Sequence, residues 1–403
     1  MKINKQRIKN NLTAIGEIGK NKNGGITRLA FSSDYYKAVD SLKNLMEKAN
    51  LQINQDNIGN VFGKRSGKYD SFPSIMLGSH LDTVKNGGLF DGTLGVIAGL
   101  ECLNILNEQN ISTNHPIELA AFNAEEGSEM GGTFGSRVMI GLQDPSEKAL
   151  QSRLKNYDLT SADLKNSIRD IDKIKAFLEL HVEQGVVLDR NEIPIGIVNG
   201  IAGITRYKII VKGETNHAGT TPMNLRKDAL TAAANLITKI EKIATSFTEP
   251  FVATVGKINV SPGAVNVIPG KVEMVLEMRD LEQDKIDLAI EKFKTEAKKI
   301  ENAKIVFNKM IQKPPVETDN KIQNIIEKAC NDNNISYKFM ASGAGHDAKE
   351  IARKIPSGMI FVPSKDGKSH CPEEWTNWDD IYRGVEVLLN TILLLDHKMS
   401  ESI

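Results

Sequence analysis

Cysteine is scarce: Cys102, Cys330 and Cys371 are the only three in 403 residues. Three cannot build a disulfide framework, and the odd count fits a reducing compartment. No CxxC pair occurs, which argues against zinc held by thiolates. Neither sign of charge is in excess, since 51 Lys and Arg balance 51 Asp and Glu. A neutral balance gives no support to nucleic acid or a membrane surface as partner. No uncharged apolar run approaches the roughly 18 residues of a spanning helix. The opening residues, basic and then mixed, lack the apolar stretch of a secretory signal, and a cytoplasmic protein is expected. Also missing are a G-x-S-x-G elbow, a glycine-rich loop followed by Gly-Lys-Ser/Thr, and any heptad array or repeat. These absences argue against a serine-hydrolase elbow and a nucleotide loop.

What is present is an ordinary globular composition, 40% apolar and 25% charged, at a length for which two domains are the default. Helical periodicity covers 3–18 and 34–49, with Ser32 or Ser33 as cap and Tyr36, Val39, Leu42 and Leu45–Met46 as the apolar stripe. Apolar strands are expected at 75–77, 117–122, 176–181, 193–198 and 360–362, and helices at 94–106 and 379–395. Strands alternating with helices predict an α/β fold with sites at strand ends. Between 205 and 313 the order changes to β-α-β-β-α-β, a ferredoxin-like unit. The expected organisation is therefore a larger α/β domain, 1–204 with 314–403, with helices on both sheet faces, interrupted by a smaller α+β domain at 205–313.

The most informative stretch is 77–95, LGSHLDTVKNGGLFDGTLG. It brings His80, Asp82 and Asp91 together between glycines, behind an apolar strand and ahead of a helix. A histidine with two carboxylates suggests a site for a hard or borderline metal. The plainer alternative is a polar loop in which Asp91 caps a helix. Three further strand ends carry the same kind of cluster: Glu125/Glu126, His181/Glu183 and, beyond 360–362, His370. Imidazole and carboxylate together suit zinc or manganese, and several such groups on one sheet edge can hold a metal pair. Such a pair polarises a carbonyl and activates water, and it needs a base that is not a ligand. Glu125 and Glu126 are adjacent, and the residues alone leave open which is ligand and which is base. Five of the seven histidines, His80, His181, His217, His346 and His370, lie in glycine-rich or polar turns. Arg279 is a candidate clamp for a carboxylate, against an ion pair with Asp280. Asn266 is a candidate oxyanion donor, against a plain turn former.

The segments GSHLDTVKNGGLFDG, NAEEGS, ELHVEQG, NHAGTTPM, VNVIPG, MRD, SGAGHDA and SHCPEE run through nearly the whole chain. Together they resemble the M20 metallopeptidase-like amidases, in the hydantoinase/carbamoylase branch. That branch includes N-carbamoyl-L-amino-acid hydrolases, allantoate amidohydrolases and β-ureidopropionases. The resemblance implies two divalent ions, zinc or manganese, with cobalt or nickel as substitutes in vitro. His80, Asp91, Glu126, His181 and His370 would be their ligands. Asp91 would bridge, with His80 and His181 on one ion and Glu126 and His370 on the other. It implies Glu125 as general base and acid, and Asp82 as the outer partner orienting His80. Arg279 would hold the substrate carboxylate, and His217 and Asn266 would bind nearby oxygen. Gln184, Gly345 and His346 would line the other side of the substrate. It further implies a lid role for the inserted domain and a homodimer formed through it. The reaction implied is hydrolysis of a ureido C–N bond, with N-carbamoyl-L-amino acid before allantoate as substrate.

Overall fold

The computed structural model describes residues 3–398, so the first two and last five residues of the expected larger domain lie outside the described residues. The chain divides into two compact units, Met1–Asn199 with Thr318–Ile403, and Gly200–Glu317. The two crossing segments pair with each other, Val316 with Ile201 and Glu317 with Gly200, so the division falls a few residues outside the expected 205–313.

The first unit is built on a large mixed sheet. Its centre is four parallel strands in the order Ile117–Phe122, Ser74–His80, Ile174–Val182 and Ser357–Val362. Gln52–Gln55 and Val61–Arg65 extend one side antiparallel, and Ile195–Ile201 the other. The central strands bury essentially every residue, as parallel strands covered on both faces do. Leu178 and Leu180 join a core shared with the helices Lys5–Gly16, Ser33–Lys48, Thr93–Glu108, Asn320–Asp332 and Trp378–Lys398. Side chains alternate between faces, so Glu179 and His181 point the other way, where Glu179 accepts from Ala348 N of the short helix Asp347–Ile351. From the Ser74–His80 strand the chain crosses to one side, and from Ile174–Val182 to the other. The crevice between their C-terminal ends is the topological switch point at which open α/β sheets bind ligands.

Ser32 caps Ser33–Lys48 by accepting from Tyr35 N. The stripe of that helix differs from expectation. Tyr35, Ala38, Val39, Leu42 and Met46 are buried, while Tyr36 is exposed. Tyr35 is drawn in because its hydroxyl donates to the Gly59 carbonyl. The helix Thr93–Glu108 buries thirteen of its sixteen residues, which suits a helix enclosed by its neighbours.

The second unit has four antiparallel strands in the order Lys304–Lys313, Gly203–Lys212, Lys271–Asp280 and Val252–Ser261. The helices Ala229–Ala244 and Gln283–Lys298 share one core with the alternate strand residues Tyr207, Ile209, Val211, Val272, Met274, Leu276 and Met278. This is the ferredoxin-like arrangement. A small ribbon, Asn216–His217 paired with Val267–Ile268, is added to it.

Candidate metal centre

Four chain segments leave the C-terminal ends of the central strands and meet. His80 ends its strand and His181 is the penultimate residue of its own. Glu125 and Glu126 follow Ile117–Phe122, and His370 lies in the loop after Ser357–Val362. Asp91 arrives from the turn that opens Thr93–Glu108.

The start of that helix explains its glycines. The N-cap is Gly92, at φ +63°, and no side chain caps the helix, so Asp91 is not spent on the dipole. A Cβ at Gly92 would lie 2.3 Å from the His80 imidazole. Only glycine lets the turn pass this close to a ring and adopt this backbone. The Asp91 carboxylate is therefore turned inward, with Oδ1 3.1 Å from His181 Nε2 and 3.8 Å from His80 Nε2. Its Oδ2 lies 3.2 Å from His370 Nε2, and His370 Nε2 lies 3.5 Å from Glu126 Oε2. Glu125 Oε2 is 3.8 Å from His80 Nε2.

Two groups of potential ligands thus share one carboxylate, His80–Asp91–His181 and Asp91–Glu126–His370. The hydrogen bonds fit a cation there. Nδ1 of His80 lies 2.9 Å from the Asp82 carbonyl, and Nδ1 of His181 lies 2.9 Å from the Val182 carbonyl. A proton on each Nδ1 leaves each Nε2 lone pair aimed at the Asp91 side. Buried Asp91 Oδ1 and Glu126 Oε1 have no hydrogen-bond partner, a condition that costs free energy unless a cation answers it. The protonation preferences agree. Burial opposes charge on His181, but the neighbouring Asp91 carboxylate outweighs it and lifts the ring to about 9. Burial and then Asp91 push Glu126 to about 10. Burial, followed by Glu126, pushes Glu125 well above the usual carboxylate range. Without a metal, protons take the places of cations.

The remaining candidates fall out as follows. The Asp82 carboxylate does not make the short bond to His80, because its own backbone carbonyl does. Its two oxygens accept from Glu125 N at 3.1 Å and Glu126 N at 3.0 Å, so Asp82 fixes the loop that carries both glutamates. Glu183 accepts from Val187 N and Leu188 N, each at 2.8 Å; it caps the next helix and is spent there. Gln184 Nε2 donates to Asp91 Oδ2 at 2.9 Å and lies 3.2 Å from His370 Nε2. His346 is 1% exposed; its ring meets that of His181 edge-on at 4.5 Å, and its Nε2 pairs with Ser342 Oγ. Gly345 is exposed.

Three candidates lie in the second unit. His217 is exposed, and its Nδ1 accepts from Gly219 N and Thr220 N, which leaves Nε2–H as a donor. Ala218 N donates to the carbonyl of exposed Asn266, so these two share one ribbon. Arg279 pairs with Glu277 at 2.7 Å, not with the Asp280 weighed from sequence; on a strand, residues two apart share a face.

Sequence reasoning passed over several buried groups. Glu179 accepts from Ser79 Oγ and Ala348 N. Asp347 accepts from Ser136 Oγ. Arg28 donates to the Leu81 carbonyl beside His80 and to Thr93 Oγ1 beside the Asp91 turn. Glu374 accepts from the backbone of Phe90 and Asp91. Glu179 had a signal, a carboxylate two residues before His181 in an apolar strand; Arg28 had none.

Residues 76–394 match Peptidase family M20/M25/M40. The chain belongs to this family, in its hydantoinase/carbamoylase branch. The M20 chain is 39% identical to an N-carbamoyl-L-amino-acid amidohydrolase of Pseudomonas sp. (strain NS671), over 97% of this chain and 98% of that one. It is 33% identical to an allantoate amidohydrolase of Escherichia coli (strain K12), over 95% and 96%. A hydantoinase/carbamoylase family amidase from Burkholderia ambifaria superposes with a TM-score of 0.90 at 30% identity, covering 98% of both chains. Among the described residues of this M20 chain, no helix is long and apolar enough to cross a membrane.

Proposed function

We propose that the protein hydrolyses the ureido C–N bond of N-carbamoyl-L-amino acids, giving the L-amino acid, ammonia and carbon dioxide. The observation that carries this reading is the pair of ligand groups joined through Asp91, in a chain related end to end to an enzyme of that name. In this reading His80 and His181 hold one divalent ion and Glu126 and His370 the other, with Asp91 between them. Zinc and manganese are the ions that this donor set suits. When bound, such a pair polarises a carbonyl and makes water acidic enough to attack near neutral pH.

The chain's own residues do the rest. Glu125 takes a proton from the attacking water and delivers it to the departing nitrogen. Asp82 holds Glu125 and Glu126 in register through their backbone amides. Arg279 binds the substrate carboxylate as a planar fork, exchanging part of its pairing with Glu277 for it. His217, through Nε2–H, and Asn266 bind the carbonyl oxygen as charge develops there. Gln184, Gly345 and His346 are the further substrate contacts in this reading. The reading includes a cytoplasmic homodimer joined through the 205–313 lid domain.

The likeness to the Escherichia coli allantoate amidohydrolase supports a second reading, since allantoate also offers a ureido carbonyl and a carboxylate. A panel of N-carbamoyl-L-amino acids, allantoate, β-ureidopropionate and dipeptides, assayed with zinc- and manganese-loaded protein, separates them. Ammonia and free amino acid released fastest from the carbamoyl compounds is the expected result. Faster turnover of allantoate would replace the first reading by the second, and dipeptide cleavage without ureido turnover would defeat both.

A further inference from the structure

Glu374 occupies an unusual place. It is 3% exposed and belongs to neither ligand group sharing Asp91, yet it joins the segments that carry two of the ligands. Its Oε1 accepts from Phe90 N at 2.9 Å and Asp91 N at 3.1 Å, and its Oε2 accepts from Ser369 Oγ at 3.1 Å. Ser369 directly precedes His370. One carboxylate thus grips the backbone of the shared ligand with one oxygen and the neighbour of a terminal ligand with the other.

The surroundings are shaped to the same end. A Cβ at Gly88 would lie 2.2 Å from the Glu374 carboxyl carbon, so the turn before Asp91 leaves room for this side chain to lie along it. Phe90, whose amide Glu374 holds, packs edge-on against Trp375 and Trp378 with both ring centroids at 5.6 Å. The 88–91 turn and the 369–378 turn are therefore fastened twice, by a carboxylate and by an aromatic cluster. This matters most for the Asp91–Glu126–His370 group. Asp91 and His370 are 279 positions apart in the sequence, and no strand carries both. His370 is also about half exposed, whereas His80 and His181 are buried on adjacent strands.

We propose that Glu374 is a positioning residue that sets the distance between Asp91 and His370, and so governs occupancy of the second ion position without ligating. This rests on the two-ion reading above. Partners behind metal ligands typically change affinity by about 10–100-fold when removed. The test is metal titration by calorimetry, with content by atomic absorption after dialysis, on wild type, Glu374→Ala, Glu374→Gln and Ser369→Ala. Wild type should bind two zinc ions per chain. Glu374→Ala should bind the first ion as wild type does and the second about 10–100-fold more weakly. Glu374→Gln keeps an acceptor for the two amides and a donor for Ser369 Oγ, and it should restore the second ion to within a few-fold. Ser369→Ala should fall between them. If wild type binds fewer than two ions, the two-ion reading fails. If wild type binds two and Glu374→Ala also binds two with unchanged affinity, the positioning role fails. It fails too if Glu374→Gln loses the second ion as fully as Glu374→Ala, because charge or ligation would then be the cause. Should Glu374→Ala not fold, the Gln and Ser369→Ala variants decide alone: equal second-ion affinity in Ser369→Ala and wild type would overturn the proposal.

Discussion

The strands Ser74–His80 and Ile117–Phe122 of the first unit bury every residue, whereas Gly203–Lys212 and Lys271–Asp280 of the second bury every other one. The candidate groups follow their scaffolds. All four of His80, Asp91, Glu125 and His181 are buried; the two imidazoles meet backbone carbonyls, and the amides of Asp91 and Glu125 donate to the carboxylates of Glu374 and Asp82. His217 is exposed on a two-stranded ribbon, Asn266 is exposed in the turn leading into it, and Arg279 lies on the partly exposed face of a strand. A buried group cannot shed its interactions without a penalty of about 1–3 kcal/mol or more, so the first set is fixed in place before any ligand arrives. An exposed group can change partners cheaply. Under the proposed roles, preorganised chemistry and adjustable recognition fall to different architectures.

The comparison can be broken most severely at Glu125. Glu125→Gln keeps shape and loses the base, and kcat should fall by about 10²–10⁴-fold while two metal ions per chain are retained. A variant that still turns over at the wild-type rate would remove Glu125 from the chemistry. Arg279→Gln probes the exposed set. Loss of a charge-assisted bond worth about 1.5–3 kcal/mol should raise KM by roughly 10–100-fold, with metal affinity untouched. A loss of metal instead would erase the distinction between the sets. The finest test is proton release. His181 at about 9 and Glu126 at about 10 are both protonated at pH 7 in the metal-free protein. Both must lose that proton to ligate. Metal affinity should therefore rise with pH, with about two protons released per pair of ions near neutrality, and level off above about pH 10. Calorimetry in buffers of different ionisation enthalpy counts them, and release of none would show that the ligands are already deprotonated.

Much of this was legible before any coordinates. Apolar runs closed by acid, histidine and glycine predicted the central strands, and 117–122 was placed to the residue. Convergence at strand ends followed from α/β topology, and the shared position of Asp91 came only with the family resemblance. Other parts were hidden for identifiable reasons. Whether Tyr35 or Tyr36 faces the core depends on a hydroxyl partner at Gly59, outside the helix. The duty of Asp82 toward Glu125 N and Glu126 N spans more than forty residues. Glu183 beside His181 looked like a ligand and is a helix cap, since a carboxylate offers the same atoms for either use. Glu374 sits in a motif that was noticed, but its partners lie more than 280 positions earlier. Sequence displays local chemistry and periodicity; it does not display which distant amide a carboxylate will meet.

Of the four central strands, Ser74–His80 and Ile117–Phe122 are neighbours both in space and in order of synthesis, and the other neighbours in space are not consecutive strands of the chain. The Ser357–Val362 strand pairs with Ile174–Val182 only after the whole Gly200–Glu317 unit has been made. Closing so long a loop costs only slightly more than closing a short one, but pairings of this separation form slowly. His80, Asp91 and His181 are all synthesised well before residues 369–374. One candidate ligand group is thus drawn wholly from residues 80–181, and the other waits for His370, nearly two hundred positions later.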